Sequence, residues 1–233
     1  MSTYDLSRRT RATMAGVGII GTVVFFLGAF SSNLPMYGDS LVDWSSWAAP
    51  AHRSDASHEI GILLLSYLLF LLFGVFVASL VSGESPSSQL FGRIALVAVA
   101  VKFAIEMMQI SVLIVPTAQG SSGLDDSMAQ FGTTLSILSL VPYALFLIAC
   151  GLAALASQAF PRWLAWFTLF VGAMHISAMI LALVGLSDTP AMYVFGYIWF
   201  ASIPGWYLVT GVALLVSAIR RQRRATELAP APA

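Results

Sequence analysis

Six apolar runs alternate with short polar stretches along this chain, each run about as long as a helix needs to cross a hydrocarbon layer. They extend from Ala12 to Phe30, Glu59 to Ser82, Leu90 to Val115, Phe131 to Leu155, Arg162 to Leu186 and Met192 to Ile219. The pattern predicts an all-α fold, a polytopic integral membrane protein whose six transmembrane helices form one domain over residues 1–233. Three polar parts flank or interrupt it: a segment over 1–11, a long loop over 31–58 and a basic, Pro/Ala-rich tail over 220–233 expected to be disordered. The first run imitates a signal peptide, with basic residues before it and Ala29-Phe30-Ser31 after it. Its apolar part exceeds the usual length of about 7 to 15 residues, so retention as a first helix is expected.

The third run differs from the others in carrying full charges. With Arg93 at one edge, Lys102 falls about 13 Å and Glu106 about 20 Å into a hydrocarbon core of roughly 30 Å. An unpaired charge at that depth is costly, so both must face protein, water or each other. Lys102 and Glu106 stand four apart on one helix and can neutralise one another, and Gln109 continues the same polar face. Within the spans His175 is the one histidine, and Tyr143, Tyr197 and Trp199 add polar-tipped rings. These seven residues are the candidate binding positions.

Composition supports the same class: 58% of residues are hydrophobic and 9% charged, against roughly 25% charged in a soluble domain. Formal net charge is zero, and nucleic acid is not an expected partner. The single cysteine, Cys150, lies in an apolar run, where it reads as a small packing residue. The arginines are unevenly placed. With six spans, Arg8, Arg9, Arg11, Arg93, Arg162, Arg220, Arg221, Arg223 and Arg224 fall on one face and only Arg53 on the other, which predicts cytoplasmic termini.

His52, Asp55, His58 and Glu59 are weak metal candidates, being residue types that ligate zinc in an arrangement that matches no zinc signature. Ser57 before His58-Glu59 reads equally as the capped, acid-rich start of the second helix, so neither metal nor other cofactor is expected. Trp44 and Trp47 in the long loop read as interfacial anchors.

Two stretches resemble each other, Ser88-Gln89-Leu90-Phe91-Gly92-Arg93 and Ser157-Gln158-Ala159-Phe160-Pro161-Arg162, which suggests parallel two-helix repeats. Under that alignment Glu106 lies 13 residues after Arg93 and His175 lies 13 after Arg162, which would place both at one depth facing a shared interior cavity. Pro142 and Pro204 interrupt the backbone bonding of the fourth and sixth spans and free the carbonyls of Leu138 and Phe200. Ser136, Ser139, Tyr143, Tyr197, Ser202 and Tyr207 are placed to help satisfy them. Ala100 and Ala104, and Ala173 and Ser177, are expected at close helix contacts.

At Pro161-Arg162-Trp163-Leu164-Ala165-Trp166 the chain resembles a family of six-span bacterial inner-membrane proteins to which no activity is assigned. The resemblance implies a multi-pass location in the bacterial inner membrane. The expectation for function is a protein that binds a lipid-like or other small hydrophobic molecule, or serves as an accessory membrane subunit, without covalent chemistry. Membrane lipids, a hydrophobic ligand and a membrane-protein partner or second copy are the expected partners. The alternatives are a small permease or proton-coupled carrier using Lys102, Glu106 and His175, and a membrane enzyme acting on an isoprenoid or lipid. The enzyme is disfavoured because no span carries the paired acids or HExxH pattern of metal-dependent membrane enzymes.

Overall fold

The computed structural model describes the backbone of residues 8–31, 53–119, 126–184 and 190–227, and the side-chain surroundings of most of these. Six helices account for it: α1 (Arg8–Ser31), α2 (Arg53–Val81), α3 (Pro86–Gln119), α4 (Asp126–Ser157), α5 (Arg162–Leu183) and α6 (Pro190–Glu227). All six are long and apolar enough to cross a membrane, and the chain is an all-α, multi-pass membrane bundle. The distribution of side chains agrees. Leu27, Leu68, Val97, Val141, Phe170 and Val212, one from each helix, are exposed. A soluble protein rarely exposes an apolar surface of this extent, whereas lipid tails solvate it without cost.

Several helices start earlier than their apolar runs. Proline opens α3, where its missing N–H is not needed, and Ser85 caps it: the Ser88 amide donates to Ser85 Oγ at 3.2 Å. Proline likewise opens α6 at Pro190, and α4 begins at Asp126. Because α2 already begins at Arg53, Ser57 lies inside the helix and is not its cap, and the loop is shorter than 31–58. Pro161 precedes α5 by one position, its carbonyl accepting the Leu164 and Ala165 amides at 2.9 and 3.2 Å. At the other end, α6 continues through all four terminal arginines to Glu227, where positive charge suits the negative end of the helix.

The helices form a ring in sequence order. α1 packs on α2, α2 on α3, α3 on α4 and α4 on α5, while α6 closes back on α1. Among the described residues α3 and α4 make the most extensive pair, and α2 reaches across to α4. Ala100, Ala104, Ala173 and Ser177 face outward, contrary to expectation. Glycines make the close approaches instead: a Cβ on Gly211 would stand 3.1 Å from the Ala15 carbonyl oxygen across the α1–α6 contact.

The interior of the ring is filled by aromatic side chains. Phe70 of α2 stacks on Tyr207 of α6 at 4.1 Å between centroids, and Trp206 meets both Phe73 and Phe146 edge-on at 6.3 and 5.4 Å. Trp206 and Tyr207 are adjacent in sequence and both buried, so α6 inserts two rings into the bundle together. α4 and α6 run unbroken past Pro142 and Pro204. The serines expected to serve the freed carbonyls bond locally, Ser136 Oγ to the Gly132 carbonyl and Ser139 Oγ to the Ser136 carbonyl. The cross-helix bond near a proline comes from elsewhere. Thr22 Oγ1 of α1 donates to the Pro204 carbonyl at 3.2 Å, a partner that the sequence did not single out.

Candidate binding centre

α3 turns one polar face toward α4, and each residue on it finds a counterpart. The Lys102 ammonium pairs with the Glu106 carboxylate one turn along α3 and stands 4.9 Å from the centroid of the Tyr143 ring on α4. Gln109 Nε2 donates to Ser136 Oγ at 2.6 Å. From Lys102 to Gln109 is seven residues forward on α3, and from Tyr143 to Ser136 is seven back on α4, the register of an antiparallel pair. That register sets Glu106 opposite Ser139, which is also buried. The result is a polar strip about 10 Å long inside the α3–α4 contact.

α5 brings His175 to the same ring. Its centroid lies 4.8 Å from that of Tyr143, edge to face, and its Nδ1 bonds the Val171 carbonyl at 2.8 Å. A carbonyl only accepts, so Nδ1 carries the proton of that bond, and in the neutral ring Nε2 is the acceptor. Lys102 and Glu106 are 6% and 8% exposed and His175 is fully buried, and Lys102 and His175 both lie against the Tyr143 ring. The centre so defined draws on α3, α4 and α5. The Tyr143 ring is wholly buried and its hydroxyl has no hydrogen-bond partner among the described residues.

The sequence identified Lys102, Glu106, Gln109, Tyr143 and His175, and these come together. The side chains of Tyr197 and Trp199 lie outside the described residues. A second interior bond lies apart from the centre: Trp206 Nε1 donates to Thr168 Oγ1 at 3.0 Å, tying α6 to α5. Of the weak metal candidates, His58 is exposed and Glu59 half-buried near the start of α2, while the side chains of His52 and Asp55, like Trp44 and Trp47, lie outside the described residues. Among the described residues no three His, Cys, Asp or Glu side chains gather as a metal set.

Among the described residues one surface depression of about 390 Å³ lies beside Ser57, His58, Gly61, Ile62 and Leu65, and another of about 240 Å³ beside Ala154, Leu155, Gln158, Phe160 and Arg162. Neither touches the charged centre. Comparison of the chain with protein-family models, curated proteins and solved structures gives no match.

Proposed function

We propose that this protein binds a small hydrophobic molecule bearing a polar group at the centre formed by Lys102, Glu106, Tyr143 and His175, without covalent chemistry. The unpartnered Tyr143 hydroxyl carries this reading. A buried hydroxyl left without a partner costs about 1–3 kcal/mol, a cost that persists in a folded protein where a partner arrives from outside the chain. An ion pair by itself needs no such hydroxyl, nor a histidine at the edge of the same ring. Glu106 and His175 can exchange charge and hydrogen bonds with a guest, while the aromatic interior receives its apolar part.

Mass spectrometry of protein purified in mild detergent tests the proposal. A defined small molecule should accompany the wild type and be lost from a folded Tyr143→Phe variant. Equal retention by both would overturn the assignment to this centre.

A proton-coupled carrier is the second reading, favoured by the strip from Glu106 through Ser139 to Gln109 and Ser136, which leads from mid-depth toward one membrane face. Carriage of the guest across liposomes driven by a pH gradient, and lost in Glu106→Gln, would select it over simple binding.

For location, the proposal is a bacterial inner membrane with cytoplasmic termini. It rests on the nine-to-one arginine asymmetry and on the resemblance carried by Pro161 to Trp166. A C-terminal alkaline phosphatase fusion should be inactive and a fluorescent-protein fusion bright. The reverse result would invert the orientation.

A further inference from the structure

We infer that the guest of this centre is a lipophilic organic cation, and that the Lys102 ammonium occupies its place in the structure described. The inference rests on the proposal that the centre is a binding site, and it names the chemistry bound there. Lys102 Nζ has the surroundings that recognise an organic ammonium: the Glu106 carboxylate as counter-ion and the face of the Tyr143 ring 4.9 Å away. The aromatic wall continues beyond the ring. Phe146 lies 6.0 Å from Tyr143 and 5.4 Å from Trp206, and Trp206 lies 5.0 Å from Tyr207.

Sign is decided by the ring. An aromatic face is the negative side of its quadrupole, so the space next to Glu106 attracts a cation and repels an anion. An anionic guest would have to displace Glu106 from Lys102 while lying against that face. A cationic guest has only to displace Lys102, whose flexible four-carbon stem allows the head to withdraw. The order of the pair also fits an occupant better than a brace, since lysine before glutamate at this spacing is the weaker arrangement for helix stability. Occupancy by Lys102 fits the burial of these groups away from the surface. A tethered competitor acts at high effective concentration, so affinity for a free cation should be low in the wild type and rise when the tether is removed.

Equilibrium binding to the full chain in detergent, with tetraphenylphosphonium as cation and tetraphenylborate as its anionic counterpart, tests this. Lys102→Met should bind tetraphenylphosphonium roughly tenfold or more tighter than wild type, and the Lys102→Met/Glu106→Gln double variant should lose that gain. Tetraphenylborate should not bind saturably to any of them. A folded Lys102→Met with no gain would overturn the inference. If Lys102→Met does not fold, the wild type decides: saturable phosphonium binding abolished by Glu106→Gln supports the inference, and its absence overturns it. Saturable tetraphenylborate binding that requires Lys102 would refute the cation and leave the binding centre standing. With neither probe bound and no molecule accompanying the purified protein, both proposals fall.

Discussion

Lys102 and Tyr143 meet across the α3–α4 contact, the ammonium 4.9 Å from the ring centroid and the phenol fully buried behind it. The contact joins the ion pair of α3 to the histidine of α5, because His175 meets the same ring edge-on. A charge at this depth survives by having both an opposite charge and a polarisable face beside it. Removing either ionic partner therefore strands the other. Glu106→Gln and Lys102→Met should each destabilise the protein by about 3–5 kcal/mol, with the double variant recovering much of the loss. Thermal unfolding of all three in detergent measures the cycle, and strictly additive losses would show that the two residues act independently.

The α1–α6 contact closes the ring, and Gly211 is where it is tightest. A methyl group there would stand 3.1 Å from the Ala15 carbonyl oxygen, a backbone atom that cannot turn aside, whereas a methyl group at Gly16 meets nothing within 4 Å. Gly211→Ala should cost about 1–3 kcal/mol through overpacking. Gly16→Ala should be neutral or slightly stabilising, since alanine is the better helix former. Comparative melting temperatures of the two variants give the answer.

Trp206 and Thr168 are both fully buried, and their hydrogen bond links α6 to α5. Thr168→Val keeps the shape and removes the acceptor, leaving the indole N–H unpaired at a cost of about 1–3 kcal/mol. Thr168→Ser keeps the acceptor and should restore most of it. Hydrogen exchange in α5 and α6 should rise in the valine variant before it rises elsewhere.

Cys150 is fully buried on α4 and is the only cysteine of the chain. A membrane-permeant maleimide should leave it unlabelled in the folded protein and label it once upon denaturation. Rapid labelling in native membranes would mean that α4 packs differently from the arrangement described.

Run length and charge sparsity determine by themselves that six helices span a membrane, because a continuous apolar run of about 20 residues fits a helix, whereas a barrel strand needs only about 9–11 residues of alternating polarity. They also determine that Lys102 and Glu106 pair, since helical geometry alone brings residues four apart together. What lies across from that pair was not legible. An apolar helix in lipid shows little periodicity between its inner and outer faces, so the sequence assigned Ala100, Ala104, Ala173 and Ser177 to contacts from which the structure turns them away. For the same reason nothing in the sequence told that the Lys102 ammonium lies over the Tyr143 ring, or that Thr22 reaches the Pro204 carbonyl. Those relations depend on helix rotation and register, which are set by packing glycines and large rings against neighbours far away in the chain. Tertiary structure alone thus decided that one buried tyrosine stands between the charges of α3 and the histidine of α5.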